Sequence, residues 1–184
     1  MEKMKHEIIE WMKSIAGAII LVLIIRAFFF APIMVDGESM EPTLKDEDRM
    51  IVTKIGEPER FDIVVFHAPD GRDYIKRVIG LPGDRIEHQN DILYVNGKAY
   101  DEPYLESFRE QISQGTLTES FTLEETAVGE ETVPEGHLFV LGDNRRNSID
   151  SREIGAVPFE EVVGTTNFVF YPFREFKIIN NHNE

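Results

Sequence analysis

The chain has 184 residues, 42% of them apolar, with a net charge of −15 and no cysteine. That length and apolar content suit one domain with a core, and the absence of thiols excludes disulfides, thiolate metal sites, a cysteine nucleophile and a lipoprotein-type lipid anchor. The acidic balance repels phosphate backbones, which argues against nucleic acid as a partner.

Residues 1–13 read as a short cytoplasmic tail and residues 14–32 as a transmembrane anchor. The run SIAGAIILVLIIRAFFFAPIMV over 14–35 carries Arg26 as its one charge. At about 1.5 Å per residue it spans roughly 33 Å, enough for a bilayer core. Arg26 lies past the middle, within snorkelling reach of the outer interface. Trp11 and Phe28 to Phe30 suit the two interfaces, and Pro32 is expected to end the helix. A cleaved signal peptide is the rival reading, but no Ala-x-Ala site follows the run, since Ala27 and Ala31 are separated by three phenylalanines. Lys3, Lys5 and Lys13 precede the run, which places the N-terminus inside and the following domain on the outer face of the cell membrane as a single-pass protein.

Residues 33–177 then turn short-period and β-like. RMIVTK (49–54), FDIVVFH (61–67), DYIKRVIG (73–80), DRIEH (84–88), DILYVNGK (91–98), HLFVLG (137–142) and VVGTTNFVFYPF (162–173) are rich in Val, Ile, Phe and Tyr between Gly, Pro and Asp punctuation. Asn96-Gly97 is a hairpin signal. The stretch 101–131 is polar and aperiodic and reads as an insertion or long loop with one short helix. Ten acidic residues over 99–136 face one Arg109 there, which reads as a solvated face. Residues 178–184 read as a frayed tail. The fold expected is mostly β, an antiparallel, coiled, barrel-like body behind one N-terminal transmembrane helix.

The chemistry is sought in three stretches. Five scattered histidines at 6, 67, 88, 137 and 182 make no H-E-x-x-H and no pair at metal spacing, so no metal site is expected. Gly37-Glu38-Ser39-Met40-Glu41 is not G-x-S-x-G, and no serine is followed by lysine three residues on. Seven of the eight lysines lie in polar surroundings; Lys76 lies in YIKRVIGL. Strand alternation puts Tyr74, Lys76 and Val78 on one face and Ile75, Arg77 and Ile79 on the other. A lysine on an apolar face is desolvated and becomes a base able to take a serine proton; an edge strand whose Lys76 and Arg77 reach water is the bland alternative. The polar stretch GDNRRNSIDSREIG (142–155) follows the apolar LFVL and carries Asp143, Ser148, Asp150, Ser151 and Arg152, which suit a hydrogen-bonded Asp–Arg network or a plain surface turn.

Taken together, SMEPTL (39–44), KRVIGLPGD (76–84) and GDNR through Ser148, Asp150, Ser151 and Arg152 closely resemble the boxes of type I signal peptidases, and the short tail with a single anchor resembles the Gram-positive type. The resemblance implies a serine endopeptidase, needing no cofactor, that removes signal peptides from exported preproteins after an Ala-x-Ala-like site, with the lipid bilayer as its other partner. Ser39 would be the nucleophile and Lys76 the general base, a histidine-free variant of triad logic. Ser148 would orient the amine, Asp150 and Arg152 would be its supporting ion pair, and Asp143 with Arg77 would be structural. The Ser39 N–H would serve the oxyanion hole, with a backbone group near Gly37 as second donor. Ile33, Val35, Met40, Leu44, Tyr74 and Ile75 would line shallow pockets for small side chains. Two other readings remain at this stage. A related self-cleaving repressor or mutagenesis protein is opposed by the anchor and the lack of a helix-turn-helix region. A catalytically dead surface binding module is opposed by the intact Ser39 and Lys76.

Overall fold

The computed structural model describes residues 2–112 and 114–179. Helix α1 (Glu2–Phe28) runs for 27 residues, so the segment expected as a separate tail is helical too. It stops before Pro32, which the sequence had as its terminator. Pro32 instead sits inside strand β1 (Phe30–Met34), opposite Ile51. Proline is tolerated there because β1 is an edge strand and the missing N–H can face away from the ladder. Every described large apolar side chain of α1, from Met4 to Ile24, is exposed. Among the described residues no helix is long and apolar enough to cross a membrane. The Arg26 side chain and the rest of the run to Phe28 lie outside the described side chains.

The body is antiparallel β. Strands β2 (Arg49–Thr53), β3 (Ile63–His67), β4 (Asp73–Gly80), β5 (Ile86–Gln89), β6 (Ile92–Val95), β7 (Lys98–Tyr100), β8 (Phe121–Thr122), β9 (His137–Leu141), β10 (Val157–Pro158), β11 (Val162–Tyr171) and β12 (Lys177–Ile178) follow in order. The larger sheet runs β1-β2-β11-β3-β4-β9-β10, with β12 beside β11, and the smaller runs β7-β6-β5-β8. The expected segment 91–98 divides at Asn96 (φ 53°) and Gly97 (φ 77°), the positive-φ pair that a tight two-residue hairpin requires.

Two features of the larger sheet prepare the site. Strand β4 pairs with β3 along Asp73–Arg77, but β9 joins it only from Arg77 onward, so Asp73–Lys76 keep an open edge. Strand β1 pairs with β2 alone, so its other edge is open as well. Three apolar clusters hold the sheets. The first joins Val35, Met40 and Leu44 to Met50, Val52, Ile63, Val65, Ile75 and Val169. The second packs the small sheet on Phe61, Ile79 and Phe139, and the third lies between Val64, Phe66, Val78 and Val140. Burying a Met or Leu side chain stabilises by about 1.5–3 kcal/mol.

The stretch 101–131 holds helix α2 (Glu106–Arg109), two 3₁₀ turns and β8 rather than one long loop. Its acidic residues are exposed, as a solvated face should be, except Glu102, which is fully buried. Of the expected tail, Ile178 belongs to β12, and residues 180–184 lie outside the described residues.

Candidate active site

Ser39 sits on the turn that follows β1. Its neighbours fix it: Met40 and Leu44 are sunk in the first apolar cluster, the Leu44 N–H donates to the Met40 carbonyl at 2.9 Å, and the Glu41 N–H to the Glu38 carbonyl at 3.1 Å. Val35 before the turn and Met40 and Leu44 after Ser39 are thus sunk in the core and hold the serine at the rim. The Ser39 amide donates to no acceptor among the described residues. The Gly37 amide, in contrast, donates to Asp46 Oδ1 at 2.8 Å.

Lys76 comes in from β4. Its Nζ donates to Ser39 Oγ at 2.8 Å and to the Ile75 carbonyl at 3.0 Å, and it lies 5.1 Å from the centre of the Tyr74 ring. The residue is only 4% exposed, so the alternative of a lysine reaching water from an edge strand does not describe it. Burial pulls its pKa down to about 8, against the opposing pull of the Asp150 and Asp143 carboxylates. An amine that shares its proton near neutrality, 2.8 Å from a hydroxyl, has the geometry of a general base for a serine nucleophile.

The stretch after β9 wraps both residues. Asp143 accepts from Arg77 Nε at 2.9 Å and Nη2 at 2.6 Å, and from Thr43 Oγ1 at 2.5 Å. The pair is buried; burial works against the Arg77 charge, but Asp143 more than offsets it and the pKa is raised. Asp150 accepts from Arg152 Nε and Nη2, both at 2.8 Å, and from the Gly142 amide at 3.0 Å. It also caps the short helix α3 (Ser151–Ile154). Ser151 Oγ accepts from the Val140 amide at 3.0 Å. Ser148 shares the groove with Ser39 and Lys76, yet its buried Oγ has no hydrogen-bond partner among the described residues. Leaving a hydroxyl so costs about 1–3 kcal/mol.

A groove of about 590 Å³ runs past the pair, lined by Ile33 to Met40, Arg72 to Lys76 and Asn147 to Ile149. It brings together Ile33, Val35, Met40, Tyr74 and Ile75. Leu44 is not in its wall; it lies beneath, in the core. The open edges of β1 and of Asp73–Lys76 border this groove.

Several residues escaped the sequence reading. Asn144, Thr43 and Gly142 lay inside the quoted motifs but had no role there. Glu102, Tyr104, Thr118, Arg145 and His88 form a buried cluster under the same loop. Glu102 was hidden by its acidic neighbours, and His88 by its lack of any pattern.

A family description, signal peptidase of the peptidase S26 type, matches residues 8–171. Signal peptidase I of Bacillus caldolyticus is 51% identical over 163 residues, covering 86% of this chain and 89% of that one. Signal peptidase I S of Bacillus subtilis (strain 168) is 47% identical over 184 residues, covering 96% of each. The crystal structure of a signal peptidase I from Enterococcus faecalis V583 superposes with a TM-score of 0.59 at 46% identity, covering 60% of this chain and 97% of that one. The chain belongs to the signal peptidase family, peptidase S26. Within it, the likeness is to type I signal peptidases of Gram-positive bacteria, and the activity is that of a peptidase.

Proposed function

We propose that this chain cleaves exported preproteins on the outer face of the cell membrane, releasing the signal peptide after an Ala-x-Ala-like site by a Ser39–Lys76 mechanism. The observation that carries the reading is the 2.8 Å contact between Lys76 Nζ and Ser39 Oγ, with the amine buried and its pKa brought down to about 8. With the amine neutral, the same contact runs the other way and the hydroxyl donates to nitrogen.

The steps follow from that contact. Ser39 Oγ attacks the scissile carbonyl carbon while its proton passes to Lys76 Nζ. The developing oxyanion meets the uncommitted Ser39 N–H. Lys76 returns the proton to the departing amine, leaving an acyl-enzyme. Water then gives a proton to Lys76 and attacks the ester carbonyl; the acyl carbon–Oγ bond breaks, and Lys76 returns the proton to Ser39 Oγ. Ser148, buried and unpartnered, is the acceptor assigned to a remaining amine N–H, and Asp150 with Arg152 holds the loop that carries it. The Gly37 amide can act as second donor only after leaving Asp46.

The substrate is read as an extended strand, because both edges bordering the groove have free ladder positions. The groove wall of Ile33, Val35, Met40, Tyr74 and Ile75 suits small apolar side chains. Helix α1 is read as a single-pass anchor, N-terminus inside, from residue 14 to its end at Phe28. Its exposed apolar side chains through Ile24 support this, as does the apolar sequence beyond. Holding enzyme and precursor in one bilayer raises their effective concentration.

The test is cleavage of a precursor with an Ala-x-Ala site by wild type, Ser39→Ala and Lys76→Ala, with product masses determined and membrane fractions assayed. Cleavage after the second alanine by wild type alone is the expected result. Equal cleavage by all three would overturn the mechanism, and recovery in the soluble fraction would overturn the anchor.

A further inference from the structure

Glu102 is the acidic residue of the 101–131 stretch that the fold buries. Its carboxylate accepts from Tyr104 Oη at 2.7 Å and pairs directly with Arg145; His88 Nε2 lies at 3.4 Å and Arg109 Nη2 at 3.8 Å. Burial alone would raise its pKa, yet Arg145, His88 and Tyr104 together hold it below the usual carboxylate range. A buried ion pair is seldom the most stable filling for such a space, since apolar residues of similar volume do as well or better. Its geometry offers another reason for it.

Arg145 spends its remaining donors on the catalytic loop and its support. Nε donates to the Gly142 carbonyl at 3.1 Å and Nη1 to Thr118 Oγ1 at 3.1 Å. Gly142 leaves no room for a side chain: a Cβ there would run into the Ser148 side chain and lie 2.6 Å from the Ser39 carbonyl oxygen. A second line starts from the same carboxylate. The Tyr104 ring lies 3.9 Å from the Arg77 guanidinium, which also pairs with Asp143. One carboxylate therefore acts on both sides of the loop that packs against the nucleophile.

We propose that Glu102 is a positioning residue for the reaction: through Arg145 and the Gly142 carbonyl it sets the loop that carries Ser148 and abuts the Ser39 peptide. The proposal rests on the Ser39–Lys76 reading. It makes the 101–131 stretch part of the working site rather than an ornament on it. A displacement of about 1 Å in such a constellation is worth up to about 10²-fold in rate.

The experiment uses the full chain in detergent and a peptide carrying an Ala-x-Ala site. Variants are Glu102→Gln, Arg145→Met, their double, Tyr104→Phe, and Ser39→Ala as the blank. For Glu102→Gln, kcat falls at least about tenfold while KM stays within about twofold. The acidic limb of its pH profile moves up, because a loosened loop lets water reach Lys76. The double variant is no slower than the worse single one, since both act along one path. Tyr104→Phe gives a smaller loss in the same sense, and it serves if Glu102→Gln does not fold. A folded Glu102→Gln, or Tyr104→Phe in its place, that melts earlier but keeps wild-type kcat and pH limb would overturn the proposal. So would losses that multiply in the double variant. Ser39→Ala cleaving as well as wild type, or no cleavage by wild type, would sink the Ser39–Lys76 reading and this inference with it.

Discussion

The backbone N–H of Asn144 donates to the carbonyl oxygen of Ser39 at 3.0 Å. The Asn144 side chain adds a bond from Nδ2 to the Glu38 carbonyl at 3.1 Å. The loop after β9 thus grips the peptide on both sides of Ser39, so what happens in that loop is felt there.

Gly142→Ala tests the grip most directly. The new methyl would collide with a backbone oxygen, which cannot rotate away, and with Ser148. Overpacking of this kind costs about 1–3 kcal/mol, and misplacing the pair should lower kcat by about 10²-fold. Single-turnover cleavage at matched folded fraction measures this; an unchanged rate would show that the loop can back away freely.

The activity should follow the Lys76 amine. With a pKa near 8, kcat/KM should rise about tenfold per pH unit below that value and level off above it. A rate profile from pH 5.5 to 10 reads the limb. A flat profile across pH 7 to 9 would exclude this amine as the base.

Stability should follow it in the opposite sense from a favourable ion pair. The folded pKa lies below the unfolded one, so the unfolded chain binds more protons between about pH 8 and 10.5. Wild-type stability therefore gains as pH rises through that window. Below it, the burial of the amine costs up to about 3 kcal/mol. Lys76→Met should be inactive yet melt higher than wild type at pH 7, with the difference shrinking towards pH 10.5. Thermal melts at the two pH values decide it.

Asp143→Ala should be far more damaging to the fold. It would leave Arg77, 1% exposed, without its carboxylate, at a cost of about 3–5 kcal/mol. Thr43→Val removes the hydrogen bond to Asp143 and a long 3.4 Å one from Arg77 Nη2, for about 1 kcal/mol, and leaves the ion pair in place. Urea midpoints should rank wild type, Thr43→Val and Asp143→Ala in that order.

Strands with alternating or continuous β-branched character were legible in the sequence, because period and punctuation are local properties. The segments around 49–54, 73–80 and 137–142 reappear almost unchanged. Strands of two or three residues such as β8, β10 and β12 carry too little pattern, and they exist because a neighbour offers an edge. The end of α1 was misplaced because Pro32 looked like a helix stop, whereas pairing of β1 with β2 had already claimed Phe30 onward. At the site, Ser39, Lys76 and the 142–152 stretch could be picked out, since each breaks the character of its surroundings. Glu102 could not, because its burial depends on Arg145, more than forty positions later in the chain. Nor could the empty ladder positions beside Lys76, which arise where β9 joins β4 late.

The order of the parts along the chain has a consequence for biosynthesis. Ser39 and Lys76 are separated by 37 positions, and the Glu38 carbonyl and the Asn144 side chain by 106. Closing such long loops comes late in folding, because the entropy is lost before the contacts form. A nascent chain that has emerged only as far as β8 owns a serine and a lysine but no loop to seat them. On the Ser39–Lys76 reading, a chain of that length is expected to be inert, with competence waiting until β9 has joined β4 and the loop behind it has reached Ser39.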